Sequence, residues 1–149
     1  MVMKLNEFLV EKFVEKTEVI LKDKPIKEAI DMMEKGKTGI LPVVDKEGKL
    51  VGCLYEGDII KLIKRGSPLI GFIWKEEITE EDKNRKVEEI MNSKVITIKK
   101  SETIETAINI MSNNEVDRLV VIEDERPIGI LRIRTILKKI FDEIETKEK

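Results

Sequence analysis

The chain has 149 residues, which is enough for one compact domain or for two small subdomains. Its 30 acidic and 28 basic residues leave a net charge of -2, so it lacks the broad positive field of a general nucleic-acid-binding protein. No apolar run reaches the ~18 residues of a membrane span, and the N-terminus lacks the apolar core of a signal peptide, so we expect a cytoplasmic protein.

The residue types that carry most enzyme chemistry are scarce. There is no histidine to act as a general base, Cys53 is the sole cysteine, and no Cys/His cluster, Walker loop or nucleophile-elbow serine occurs. We therefore expect neither catalytic activity nor a metal site, with a catalytic site of carboxylates or lysines as the alternative. Charged residues make up 39% of the chain in near balance, a composition typical of a thermophilic source.

The chain contains an internal repeat. Residues 25–63, PIKEAIDMMEKGKTGILPVVDKEGKLVGCLYEGDIIKLI, return as residues 103–140, TIETAINIMSNNEVDRLVVIEDERPIGILRIRTILKKI. Ala29 corresponds to Ala107 and Gly52 to Gly129, and the spacing between equivalent residues becomes one residue shorter across the turn between them. Two copies are too few for a solenoid, so we expect two units packed face to face about a pseudo-twofold axis, with a cleft between them.

Both copies predict the same elements in chain order. A short strand, Glu18–Leu21, precedes a helix whose apolar stripe starts at Ile26, with Asp23 as its cap and Gly36 as its left-handed end. Two apolar strands joined by a polar turn follow, and a second helix begins at Glu56 or Asp58. The paired strands are Gly39–Val44 and Leu50–Tyr55; the second copy has strands Val95–Ile98, Arg118–Ile122 and Ile128–Leu131, helix cap Ser101 and helix end Asn114.

This order predicts an α/β (α+β) fold of two units, each a small sheet packed against two helices. We assign residues 1–65, with an N-terminal helix, to the first unit, residues 66–86 to a connecting segment and residues 87–149 to the second unit. The apolar stretch 66–74, GSPLIGFIW, is interpreted as a lid over the cleft, a dimer contact or core, and the charged run 75–86 as exposed linker or helix.

The helix EAIDMMEKGKTG, the strand ILPVVD, the turn KEGK and the following LVGCLYEGDII resemble the cystathionine-β-synthase (CBS) domain, and their doubling resembles the tandem pair known as a Bateman module. The resemblance covers almost the whole chain. It implies paired domains that bind adenosyl ligands such as AMP, ADP, ATP, S-adenosylmethionine or NAD in their clefts, often as disc-shaped homodimers. Such modules usually regulate an attached or partner enzyme or transporter, and these residues include no such effector domain.

The resemblance places a ribose- and phosphate-binding motif at 52–58. Asp58 stands at the position that accepts hydrogen bonds from the ribose diol, and Tyr55 fills the position of a phosphate-binding hydroxyl. A helix cap without a ligand is the alternative role for Asp58. The further positions implied by the resemblance are Thr38, Gly39 and Ile40 at the adenine edge, Pro42 in the pocket wall, and Thr97 in the base pocket of the second copy.

The second copy departs from this motif. Arg132 stands in the hydroxyl position and Thr135 where the ribose-binding aspartate is expected, so the resemblance does not carry ribose recognition over to this copy. Arg118, Arg132 and Arg134 are instead candidates for contacts with a polyphosphate, because a planar guanidinium matches phosphate geometry. The alternative is a solvated basic face in which these arginines pair with nearby acids, Glu123 and Glu125.

These residues predict a homodimeric regulatory module that senses an adenine nucleotide, mainly through Asp58 with phosphate contacts from arginines of the second copy, and acts on a separate partner protein. A CBS-like pair that has lost its ligands and serves as a dimerisation or docking platform is the alternative. Nucleic-acid binding through Arg132, Arg134, Lys138 and Lys139 is disfavoured by the net charge.

Overall fold

The computed structural model describes residues 4–60, 64–67, 71–74 and 80–148. The strands are β1 (Ile20–Leu21), β2 (Ile40–Val44), β3 (Leu50–Tyr55), β4 (Lys64–Ser67), β5 (Gly71–Trp74), β6 (Thr97–Lys99), β7 (Arg118–Glu123) and β8 (Arg126–Arg132). The helices are α1 (Ile26–Gly36), α2 (Glu56–Ile60), α3 (Glu80–Lys83), α4 (Ile104–Asn114) and α5 (Ile133–Glu148). The predicted mixture of small sheets and helices is confirmed.

The chain folds as two compact units. The contiguous unit comprises Glu18–Val95, and the two-segment unit comprises Met1–Thr17 together with Ile96–Lys149. The structure thus groups the N-terminal segment with the second repeat, whereas the predicted boundaries placed it with the first. In place of the predicted N-terminal helix, the segment forms two 3₁₀ turns, Leu5–Glu7 and Val10–Lys12.

The contiguous unit has a three-stranded sheet in the order β1-β2-β3. Strand β1 runs parallel to β2, and β2 pairs antiparallel with β3, with Leu41 opposite Leu54. The buried face of α1 packs on this sheet because Ala29 and Met33 recur at helical spacing. Strands β4 and β5 form a separate antiparallel pair. The roles predicted for residues 66–74, as a lid, a dimer contact or core, depend on side chains that lie outside the described residues.

The two-segment unit has the equivalent sheet, β6-β7-β8, with a parallel and an antiparallel pairing. Its core combines residues of the second repeat with Val10 and Phe13 of the N-terminal segment, which are 0% and 4% exposed. The N-terminal segment is therefore part of the core of this unit and not a loose extension.

Each sheet is extended by the segment that precedes the other repeat. In the contiguous unit the backbones of Cys53 and Asn92 exchange two hydrogen bonds of 2.8 and 2.9 Å. In the two-segment unit Ile130 and Glu15 make the same exchange, with both bonds at 2.9 Å. Gly52 precedes Cys53 and Gly129 precedes Ile130, and both glycines permit this close approach. A Cβ at Gly129, for example, would overlap the Glu15 carbonyl oxygen and the Val14 side chain.

The helices end one residue later than predicted. Lys37 and Glu115 adopt the left-handed conformation expected of Gly36 and Asn114, with φ of 50° and 54°. Both ends are Schellman motifs, as shown for α1 by the Thr38 N–H donating to the Met33 carbonyl at 3.0 Å.

The helix starts also lie later than predicted. Pro25 and Thr103 are the N-cap residues in place of Asp23 and Ser101, and the Thr103 hydroxyl accepts from the Thr106 N–H. Residue Asp82 of the charged run is buried in α3, so this run is not uniformly exposed.

The predicted one-residue difference between the repeats lies in the hairpin turns. Five residues separate β2 from β3, with Gly48 at φ 85°. Strands β7 and β8 each extend one residue further into the turn than β2 and β3, so only two residues separate them. Both of these residues, Asp124 and Glu125, have positive φ, which is typical of a tight hairpin.

Candidate functional site

In the contiguous unit, the predicted site residues meet where β2 begins and β3 ends. Ile40 lies opposite Tyr55, and the Glu56 N–H donates to the Gly39 carbonyl at 3.0 Å. The antiparallel pairing therefore brings Thr38, Gly39 and Ile40 next to the start of α2, which carries Asp58. Pro42 is buried further along β2, opposite Cys53.

Asp58 has a structural role at the start of α2. Its side chain is buried, at 8% exposure, and Oδ2 accepts a hydrogen bond from the Tyr55 N–H at 2.9 Å. This contact fits the capping role considered for Asp58, because it satisfies a backbone donor at the helix start. A carboxylate accepts up to about four hydrogen bonds, so the contact is also compatible with ribose binding.

Thr38 and Gly39 line a cavity of about 520 Å³ beside α1 and α2. The Thr38 hydroxyl accepts from the Ile40 N–H at 3.3 Å and holds the strand start in place. The described residues that line the cavity are Ile30, Met33, Glu34, Lys37, Thr38, Gly39, Glu56, Ile59 and Ile60. Two predicted site residues therefore reach the cavity, whereas Ile40, Pro42, Tyr55 and Asp58 are absent from this described lining.

Glu56 was not singled out from the sequence as a site residue. Its side chain covers Gly39, since a Cβ built at Gly39 would lie 3.0 Å from the Glu56 Cδ. The available sequence signal was its position at the strand-to-helix junction, two residues before Asp58. It adds a second carboxylate to this end of the unit.

In the two-segment unit, Arg118 and Arg132 lie directly opposite each other on β7 and β8. Like charges in this position destabilise a sheet unless each is compensated. Arg118 Nε lies 3.2 Å from Asp117 Oδ1, and Arg132 Nε lies 3.1 Å from Glu15 Oε2. Arg134 is exposed on α5.

Thr135 also contacts Glu15, the partner of Arg132. Its hydroxyl donates a hydrogen bond to Glu15 Oε1, so the Glu15 carboxylate bridges Thr135 and Arg132. Glu15 was also missed from the sequence, because its partners lie more than a hundred residues away. Thr97 lies in β6 opposite Val120 and is half-buried.

The acid Glu123, considered as a partner for the arginines, pairs with a lysine. Its Oε1 lies 2.7 Å from Lys100 Nζ, and this hydrogen bond is the main cause of a raised pKa of Lys100. Arg118 and Arg132 pair instead with Asp117 and Glu15, so their acidic partners differ from the Glu123 considered in the alternative.

Two kinds of feature are absent from the described residues. Within the described ranges, no group of three or more His, Cys, Asp or Glu side chains is arranged to hold a metal ion. In the same part of the chain, no helix combines the length and hydropathy needed to cross a bilayer.

Residues 10–65 and 87–142 each match the sequence model of the CBS domain. The chain belongs to the CBS domain family. The two CBS matches begin at Val10 and Val87, two equivalent buried residues of the segments that precede the repeats. The family and the tandem arrangement predicted from the sequence are confirmed.

Relatives of this CBS domain pair include proteins of different length. The chain is 36% identical over 118 residues to inosine-5'-monophosphate dehydrogenase of Methanocaldococcus jannaschii, a match that covers 78% of the chain and 20% of that enzyme. It is 32% identical over 136 residues to the uncharacterized protein MJ1426 of the same organism, covering 78% of the chain and 81% of the relative.

A solved structure has a similar fold. The CBS domain pair of protein MJ0100, in complex with 5'-methylthioadenosine and S-adenosyl-L-methionine, is 27% identical, with a TM-score of 0.67. The similarity covers 91% of this chain and 97% of that one.

Proposed function

We propose that this CBS domain pair is a regulatory module that senses an adenine nucleotide of the AMP, ADP or ATP type, has no catalytic activity of its own and acts on a separate partner protein. The observation that carries the proposal is the meeting of the start of β2 with the Asp58-bearing start of α2. The adenosyl ligands of the MJ0100 domain pair support the same ligand class.

The chemistry of the candidate residues suits such a ligand. A carboxylate at Asp58 accepts hydrogen bonds from two ribose hydroxyls, and backbone groups at Thr38–Ile40 are available at the strand start for an adenine edge. In the two-segment unit, Arg118, Arg132 and Arg134 supply guanidinium groups for phosphate oxygens. Occupancy regulates a partner only if the ligand binds one conformation of the protein more tightly than another.

Ligand-dependent thermal unfolding tests the proposal. We would measure the unfolding midpoint with and without millimolar AMP, ADP, ATP, S-adenosylmethionine and NADH. A ligand at about 100 times its Kd adds roughly 2.7 kcal/mol, which raises the midpoint by several degrees for a domain of this size. No shift with any of these ligands would contradict adenosyl sensing.

Three variants locate the site. Asp58→Ala removes the carboxylate, and Asp58→Asn keeps an acceptor for the Tyr55 N–H while removing the charge. Asp31→Ala, an exposed acid on α1, is the matched control. Each shift is measured from the variant's own midpoint, so that a change in stability is separated from a loss of binding. A shift lost in both Asp58 variants and kept in Asp31→Ala would support the site; a shift kept in all three would place it elsewhere.

A dimerisation platform is the second candidate function, because apolar side chains remain exposed on the helices. Ile30 and Ile60 of the contiguous unit are 42% and 48% exposed, and Leu137 and Phe141 of the two-segment unit are 45% and 66% exposed. We propose a homodimer that covers these residues. Sedimentation of wild type and Phe141→Glu tests it, with Lys138→Glu as a control on the same helix; a dimer weakened by Phe141→Glu far more than by the control is expected.

A further inference from the structure

We infer that Glu15 is an internal competitor for phosphate in the two-segment unit. Its carboxylate holds the two residues, Arg132 and Thr135, that stand at the motif positions for phosphate and ribose. The inference deepens the proposed function and rests on its assignment of Arg132 to phosphate contacts.

Both oxygens of Glu15 are engaged. Oε2 lies 3.1 Å from Arg132 Nε, and Oε1 accepts a hydrogen bond from the Thr135 hydroxyl. Arg132 Nε is buried and, within the described part of the chain, has no partner in hydrogen-bond geometry, so its contact with Glu15 is an ion pair. A phosphate bound to Arg132 would share the guanidinium with this carboxylate and be repelled by its charge.

The backbone fixes the position of Glu15. It exchanges two hydrogen bonds with Ile130, and the nearby Phe13 is buried in the core. Because the backbone already holds Glu15 beside Arg132, the internal contact costs no translational freedom, whereas a ligand loses that freedom when it binds. Phosphate must therefore compete for Arg132 with a carboxylate that is already in place.

The two units differ in charge at this position. Asn92 of the contiguous unit makes the same backbone exchange, with Cys53, that Glu15 makes with Ile130. Asn92 is neutral, and its side-chain oxygen accepts from the Lys94 N–H at 2.9 Å. The two-segment unit thus carries a carboxylate, Glu15, where the contiguous unit carries the neutral Asn92. We expect Glu15 to weaken the binding of phosphate to Arg132 in the two-segment unit.

Titration calorimetry with inorganic tripolyphosphate tests the competitor directly, using the full chain at fixed ionic strength. Glu15→Gln removes the charge and keeps an acceptor for Thr135, and Glu7→Gln, an exposed acid of the same segment, is the matched control. We expect Glu15→Gln to bind tripolyphosphate about fivefold more tightly than wild type, the equivalent of breaking a half-exposed ion pair. Glu7→Gln should change the affinity by less than about twofold.

A double variant ties the gain to Arg132. In Glu15→Gln/Arg132→Gln the tighter binding should disappear; its persistence would overturn the inference, as would a gain in Glu15→Gln no larger than in Glu7→Gln. Because tripolyphosphate contains no nucleoside, this outcome is independent of Asp58. If adenosyl ligands fail to bind while Glu15→Gln gains tripolyphosphate affinity through Arg132, the proposed function fails and the role of Glu15 stands. The unfolding midpoint of each variant confirms that the variant is folded. If Glu15→Gln does not fold, Glu15→Ala replaces it in the experiment.

Discussion

Replacing Gly129 with alanine tests whether the N-terminal segment is seated on β8. The added methyl group would overlap the Glu15 carbonyl oxygen and the Val14 side chain. A backbone oxygen cannot rotate away as a side chain does, so the segment itself must move. The expected result is loss of the paired hydrogen bonds between Glu15 and Ile130.

The expected cost follows from these contacts. Two backbone hydrogen bonds contribute about 1 kcal/mol each, and relieving the overlap costs about 1–3 kcal/mol. Alanine also restricts the unfolded chain, which returns about 0.4–1 kcal/mol. We expect Gly129→Ala to lower the free energy of unfolding by about 2–4 kcal/mol.

The same chemical change at two other glycines provides the controls. A Cβ at Gly57 would meet no atom within 4 Å, so Gly57→Ala should stabilise the exposed start of α2 by about 0.5–1 kcal/mol. At Gly52 the Cβ would lie 2.5 Å from the flexible Met91 Sδ and 2.9 Å from the Asn92 carbonyl oxygen. Gly52→Ala should therefore cost less than Gly129→Ala, about 1–2 kcal/mol.

Urea unfolding followed by far-UV circular dichroism measures these differences. Hydrogen exchange at the Glu15 and Ile130 amides adds a local readout, and both amides should exchange faster in Gly129→Ala than in wild type. A free energy of unfolding for Gly129→Ala within about 0.5 kcal/mol of wild type would refute the seating of the N-terminal segment.

Three further changes test the packing, a helix end and a turn. Phe13→Ala should cost about 3–5 kcal/mol in urea unfolding, because Phe13 is 4% exposed in the core; a loss below about 1 kcal/mol would contradict its core position. Lys37→Gly should stabilise by about 1 kcal/mol by relieving a φ of 50°, whereas Lys35→Gly within α1 should destabilise by a similar amount. The Lys49 N–H, with that of Glu47, lowers the pKa of Asp45 below its ordinary value of 3.8. The ionised Asp45 carboxylate contributes to the free energy of unfolding above pH 3.8, and this contribution is lost as pH falls through the lower pKa of the folded state. The stability advantage of wild type over Asp45→Asn should therefore shrink on acidification and not grow.

The sheets could be predicted closely because their sequence pattern is simple. The observed β3 has the predicted bounds, Leu50–Tyr55. Its apolar run lies between a polar turn and an acidic helix start, and these two flanks define where the strand begins and ends. The helix ends were less predictable. Glycine and asparagine are the preferred left-handed residues, but here the next residues, Lys37 and Glu115, adopt that conformation and donate their N–H groups to carbonyls of the last turn.

Part of the candidate site was also predictable. The strand pairing that brings Ile40 to Tyr55 follows from the hairpin, and the local hydrogen bond of Asp58 fits its predicted capping role. The Glu15 cluster was not predictable in this way. The resemblance of Val10 and Glu11 to Val87 and Glu88 indicates a longer repeat, but sequence similarity does not decide which unit each segment completes.

The two-segment composition of one unit has a consequence for folding during synthesis. Residues Glu18–Val95 are contiguous, so the ribosome can release one complete unit before the second repeat has been made. Met1–Thr17 is made before this unit, and about 80 residues separate it from the start of Ile96–Lys149, with which it folds. At roughly 5–20 residues per second this delay lasts about 4–16 s, during which Val10 and Phe13 lack their native partners. The segment Met1–Thr17 is thus made before the contiguous unit but reaches its final position after that unit can fold.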